Sequence, residues 1–212
     1  EGVTGLPGDR ALKLPVPAMG TDGATGPVKW ARTQLLEGNT SYDNLTGMTV
    51  TVWFKAFSTV AKNPALVWKL GSGSYAWSIE ANTGTTPADG VPFRLTAAGG
   101  NVSYASVDGG ATSESLYKEV NQWIFMAMTW DGSSGAVKWY KGGTGTVTTE
   151  LVRAVTTTLG YTGGGAGNLS IGGRLGSDRP FHGLIDNVRV FASKVEPATP
   201  VLTQEEDRKS GV

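Results

Sequence analysis

The 212-residue chain carries 18 Lys+Arg against 18 Asp+Glu, and this zero net charge argues against an electrostatic binder of nucleic acid or of membrane surfaces, which needs a basic face. With no cysteine it can form no disulfide, no thiolate nucleophile and no Cys-ligated zinc site. Its longest apolar run, Trp123 to Met128, is far too short to span a bilayer, while the length suffices to bury one sizeable core.

The chain reads as strands separated by turn chemistry. Asp22-Gly23, Asp89-Gly90, Asp108-Gly109 and Asp131-Gly132 are turn signals, because glycine tolerates positive φ. Val50, Val52 and Phe54 set an early strand, against which Trp53 alternates and so points away from the core. Period-2 apolar patterns follow at Tyr75-Trp77-Ile79, Phe93-Leu95, Ile124-Met126-Met128-Trp130 and Val137-Trp139. Gly142-Gly143-Thr144-Gly145 and Gly163 to Gly167 are loops.

The segment Pro180 to Phe191 is a strand interrupted once. Phe181, Gly183 and Ile185 share one face, and Val188 and Val190 resume the alternation one residue late. Such a slip marks a β-bulge, here at Asp186-Asn187. Beyond it, Thr203 and Glu206 form a capping box for a short helix over 203–211, ending at Ser210-Gly211. No helical period holds for three turns before residue 195, and neither a repeat nor a composition shift marks a second domain. The expectation is one all-β domain over 1–212, a sandwich or barrel of many short strands.

Catalytic patterns are missing. A retaining glycosidase needs paired carboxylates, and the only acidic cluster, Glu205-Glu206-Asp207, falls on the tail helix. No G-x-S-x-G nucleophile elbow, Walker A motif or dinucleotide fingerprint occurs. His182 is the single histidine and lacks an obvious tyrosine partner in sequence. The expectation is therefore that the chain is not an enzyme.

Several segments, in order, resemble the laminin G-like, concanavalin A-like jelly rolls. They are Gly8-Asp9-Arg10-Ala11-Leu12-Lys13-Leu14, Met48 to Lys55, Trp123 to Asp131-Gly132 with Val137-Lys138-Trp139-Tyr140, Asn168 to Gly173, and the closing Phe181 to Phe191. The resemblance implies a two-sheet antiparallel jelly-roll sandwich. It also implies a structural calcium ion held by Asp186 and by N-terminal carbonyls, with Gly8 and Asp9 the first candidates and Asp22 the second. The residues themselves leave open that Asp186 only caps the amides of its bulge.

The fold hosts lectins, binding modules, adhesion domains and enzymes, so function must be argued from a site. Glycan binding needs exposed rings and polar groups. Trp77, Trp130 and Trp139 read as core. If residues 75–141 form one meander, its outward face carries Ser78, Glu80, Arg94, Thr96, Phe125, Ala127, Thr129, Lys138 and Tyr140. The candidate ligand residues are Arg94, Phe125, Lys138, Tyr140 and Trp53. Loops around Trp68, Tyr104 and Arg179 are the fallback. The reading is a non-catalytic carbohydrate-binding module for a polysaccharide, with Arg94 and Lys138 hinting at an anionic one. It would belong to an exported, bacterial, multidomain protein and be secreted or cell-surface. A structural or adhesive spacer, and a jelly-roll lyase or hydrolase, are the rivals.

Overall fold

A computed structural model describes residues 2, 4, 10–14, 33–35, 45–57, 65–70, 75–80, 92–97, 100–105, 121–143, 150–156, 169–173 and 181–193. These contain the strands β1 (Leu12–Leu14), β2 (Thr33–Leu35), β3 (Gly47–Ala56), β4 (Ala65–Leu70), β5 (Tyr75–Glu80) and β6 (Pro92–Ala97). They continue with β7 (Gly100–Ala105), β8 (Ile124–Asp131), β9 (Ala136–Gly143), β10 (Glu150–Thr156), β11 (Leu169–Ile171) and β12 (Gly183–Ser193). The expected tail helix and the turns at 22–23, 89–90 and 108–109 lie outside the described residues.

Two antiparallel sheets form a jelly-roll sandwich. The first has the order β1-β12-β3-β8-β9-β10 and the second β2-β11-β4-β5-β6-β7. This corrects the reading of 75–141 as one meander. Strands β5, β6 and β7 belong to the second sheet, and β8 and β9 to the first.

The core is where the period-2 patterns of the two sheets meet. Val50, Val52 and Phe54 of β3 are fully buried, as are Met126 and Met128 of β8 and Val137 and Trp139 of β9. From the second sheet come Val67, Trp77, Ile79, Leu169 and Ile171. Burying each such aliphatic or aromatic side chain contributes roughly 1.5–3 kcal/mol, so this face-to-face cluster supplies most of the driving force. Phe181 enters the core edge-on to Phe54, with ring centroids 6.0 Å apart. A register shift between Ala65 and Val67 accompanies a place where the consecutive residues Leu66 and Val67 both reach the core.

Turns and irregularities fix the register. In the β8–β9 hairpin the Asp131 carboxylate accepts the Ser133 amide at 2.9 Å, the Ser133 hydroxyl at 2.7 Å and the Ser134 hydroxyl at 2.6 Å. These bonds, that of Ser134 foremost, hold its pKa below the ordinary 3.8. The Gly132 N–H donates to the Thr46 carbonyl at 2.8 Å, a close backbone approach with no room for a side chain. The expected bulge is present on β12. Asp186 pairs with Trp53 and Arg189 with Thr51, so β12 spends one more residue there than β3. Asn187 takes φ 47°, and its N–H donates to Asp186 Oδ1 at 2.7 Å. Asn is among the residues that tolerate this left-handed conformation best.

Candidate functional site

Each sheet has one side on the core and one side away from it, and the two outer sides differ. On the first sheet, strand register places Asp186, Trp53 and Phe125 in one row across β12, β3 and β8. The next row holds Arg189, Thr51, Ala127 and Tyr140, and the one beyond it Phe191, Thr49, Thr129 and Lys138. All alternate against core residues, so they share the outer face.

The last two rows set larger side chains on β12 and β9 on either side of small residues on β3 and β8, a strip called the trough below. Its floor is small: Thr49 and Thr51 are 2 % exposed and Ala127 4 %. Arg189 and Phe191 rise on the β12 side, Tyr140 and Lys138 on the β9 side. Three strand spacings, about 14 Å, separate the two walls. Trp53 and Phe125 close one end as a directly opposed cross-strand pair, with centroids 5.2 Å apart and planes tilted by 51°. Both rings are partly exposed. Burial raises the Tyr140 phenol above its ordinary pKa, so at neutral pH it remains a hydrogen-bond donor.

The outer side of the second sheet is buried at its described positions on β11, β4 and β5. Ser170, Trp68 and Ser78 are neighbours across β11, β4 and β5, on the side opposite core-facing Val67 and Ile79. All three are 0 % exposed. The Ser170 hydroxyl donates to the Gly173 carbonyl at 2.9 Å. The chain itself therefore covers both sides of this sheet at these positions, and Trp68 is no edge-loop ligand residue. Tyr104 lies on β7 of the same sheet, and Arg179 lies outside the described residues.

Four of the five candidate ligand residues come together. Trp53, Phe125, Lys138 and Tyr140 share the outer face of the first sheet. Arg94 does not join them. It lies on β6 of the second sheet, in register with Ser78 and Ser103, because residues 75–141 are split between sheets. Arg189 of β12, opposite Thr51, is the arginine on this face. The sequence signal for it was the bulge: counting alternation through the slip turns Arg189 outward with Asp186 and Val188 inward.

Asp186 sits at the same end as the aromatic pair. Its bond to the Asn187 amide shows that it does cap the bulge. That bond engages its Oδ1. Strand β1 pairs with β12, Leu12 opposite Ile185, so the residues just before Leu12 run past Asp186. A hard cation takes carboxylate and backbone carbonyl oxygens together, and Asp186 is the carboxylate at this corner. Gly8, Asp9 and Asp22 lie outside the described residues. Among the described residues no three His, Cys, Asp or Glu side chains gather as a metal cluster.

His182 is turned toward Phe57, ring edge to face at 5.5 Å, and its carbonyl accepts the Phe57 N–H at 3.0 Å. Burial lowers its pKa below the ordinary 6.5. Phe57 is thus an aromatic neighbour of the His182 ring.

The family model described as the concanavalin A-like lectin/glucanases superfamily matches residues 22–199. A comparison with curated protein sequences returns no match. Among solved structures, the chain is similar to domain 4 of AbnA, an extracellular arabinanase from Geobacillus stearothermophilus solved with arabinotriose. The TM-score is 0.53 at 18 % identity, over 83 % of this chain and 70 % of that one. It is also similar to the CBM40 of a Ruminococcus gnavus sialidase bound to α2,3 sialyllactose, with TM-score 0.54 and 16 % identity over 84 % and 95 % of the two chains. The heptameric SAP-like pentraxin from Limulus polyphemus matches with TM-score 0.52 and 13 % identity over 85 % and 82 %. At these identities the likeness is one of fold.

Proposed function

We propose that this chain, which belongs to the concanavalin A-like lectin/glucanases superfamily, is a non-catalytic carbohydrate-binding module that holds a polysaccharide in the trough on its first sheet. The observation that carries this reading is the Trp53–Phe125 pair. Two large rings lie together on the side away from the core, partly open to solvent, at the end of a small-residue floor. Rings so placed offer a face on which a sugar ring stacks, and Tyr140 and Lys138 supply groups for its hydroxyls. The arabinotriose and sialyllactose complexes of the two similar domains support the same ligand class. The module acts outside the cell, as a part of a larger exported bacterial protein that it anchors to its polysaccharide. The arabinanase whose domain it resembles is itself described as extracellular.

The test is affinity electrophoresis in gels cast with a panel of plant, microbial and animal polysaccharides. Wild type should be retarded by at least one of them. Trp53→Ala should weaken that retention about tenfold or more, as loss of an aromatic hot spot does. A protein retarded by no polysaccharide is a spacer or adhesive module instead.

Asp186 is the carboxylate that would hold a calcium ion in this module, with backbone oxygens of Gly8 and Asp9. Calcium would supply a structural tie between the N-terminal segment and β12. An ion that binds only the folded state stabilises it by mass action. Excess chelator should then lower the melting temperature of wild type and leave Asp186→Ala unmoved. An identical wild-type melting curve with and without chelator would remove calcium from the account.

A further inference from the structure

We propose that Trp123 is a third stacking residue of the site, and that the ligand is a glycan chain held over two or more consecutive sugars along β8 rather than a single terminal sugar. This rests on the carbohydrate-binding reading above and names the form of ligand that the same face takes.

The first observation is the count of residues where the chain enters β8. Ile124 pairs with Phe54. The Asn121 N–H donates to the Ala56 carbonyl at 2.7 Å, with Asn121 in the left-handed region at φ 62°. Gln122 and Trp123 together therefore oppose the single residue Lys55, the two-against-one count of a β-bulge. Phe54 and Ala56, on either side of Lys55, are fully buried, so Lys55 takes the outer side. Trp123 adjoins core-facing Ile124 and alternates outward with Phe125.

The second observation is exposure. Trp130 and Trp139, which face the core from β8 and β9, are buried. Trp123 is partly open, as Trp53 and Phe125 are. Beside it Gln122 is exposed and Lys55 partly so.

The third observation is direction. Trp123 and Phe125 lie two residues apart on one chain, a rise of about 6.6–6.8 Å in a strand. Trp53 faces Phe125 across the strand pair. The three rings thus continue the trough along the strands instead of crossing it. Rings in that order meet the apolar C–H faces of successive sugar units of one chain. Gln122 and Lys55 at their rim supply donors for hydroxyls. A protein partner would instead favour a patch whose centre lacks charge.

The experiment uses the full chain in affinity gels of arabinan, xylan, barley β-glucan, polygalacturonate and hyaluronan. The mono-, di- and trisaccharides of each retaining polymer serve as competitors. Wild type should be retarded by at least one polymer, and its trisaccharide should compete about tenfold better than its monosaccharide or more. Trp123→Ala should weaken retention about tenfold, as loss of an aromatic hot spot does, with a melting temperature near that of wild type. It should also erase most of the advantage of the longer competitor, which a merely structural role would not do. Trp123→Tyr, which keeps a stacking ring, should retain most of the binding. If Trp123→Ala fails to fold, Trp123→Leu takes its place, and the ranking of competitors against wild type decides if both fail. A monosaccharide that competes as well as the trisaccharide overturns the chain-binding inference. A folded Trp123→Ala that binds like wild type overturns the role of Trp123, and weakened binding by Trp53→Ala in the same gels leaves the carbohydrate reading intact. Retention by no polymer overturns both readings.

Discussion

Trp53 and Trp68 occupy comparable places, yet their surroundings are opposite. Each sits mid-strand in its own sheet, and each alternates away from the shared core. Trp53 rests partly open against Phe125, whereas Trp68 is 0 % exposed between Ser170 and Ser78. The away-facing side of a strand is thus not the same as the wet side. At Trp53 and Phe125 the outer side of the first sheet is partly open to solvent, whereas at Trp68, Ser78 and Ser170 that of the second is buried.

The comparison breaks most visibly in stability. Trp68→Ala should cost about 3–5 kcal/mol, the range for truncating a fully buried aromatic side chain. A urea melt that shifts by less than a third of that would mean the outer side of the second sheet is only lightly covered.

Next in size is a control on the core side. A Cβ at Gly183 would lie against the Lys55 carbonyl and 2.7 Å from the Phe181 ring. Gly183→Ala should therefore destabilise by roughly 1–3 kcal/mol through overpacking. Wild-type stability in this variant would place the β12–β3 contact further apart than described.

Trp53→Ala should cost less than Trp68→Ala, since only part of its area is buried to add to the roughly 0.5–1.5 kcal/mol of the aromatic pair. Its signature is instead weaker binding with near-native folding. If it unfolds the protein as Trp68→Ala does, the two faces are alike and the contrast fails.

The smallest effect is one of pH. The folded state holds the His182 imidazole neutral to a lower pH than the unfolded chain does, because burial lowers its pKa from 6.5. Between those two values the unfolded state binds more protons, so stability falls as pH drops below about 6.5, until the lowered pKa is passed. His182→Gln should flatten that part of the stability profile measured by urea midpoints. A profile identical to wild type would exclude His182 as its source.

Much of the fold was legible from particular residues. Ile124, Met126, Met128 and Trp130 predict a strand and its inner face because a half-buried sheet leaves no other use for period 2. The slip after Ile185 predicts the bulge that the register shift and the φ of Asn187 show. Sheet membership was not legible: alternation in β5 or β8 says which side is apolar, never which sheet the strand joins. For that reason Arg94 was grouped with Tyr140, from which the sandwich separates it. Nor was the burial of Ser78 and Ser170 readable, since short polar residues at outward positions suit water and a second covered layer equally well. The outward place of Arg189 is legible only when alternation is counted through the extra residue at Asn187.

Among the described strands β1 pairs with β12 alone, and β12 itself lies between β1 and β3. The first of the described strands thus waits for the last. A chain made from its N-terminus cannot close the first sheet early, and β3 keeps an open edge until residues 183–193 arrive. Local hairpins such as β8–β9 can form sooner, but the long loop closure that joins β1 to β12 comes at the end. A chain cut before residue 183 would leave β1 unpaired and β3 as a bare apolar edge, so its expected fate is association with other chains rather than a smaller folded domain.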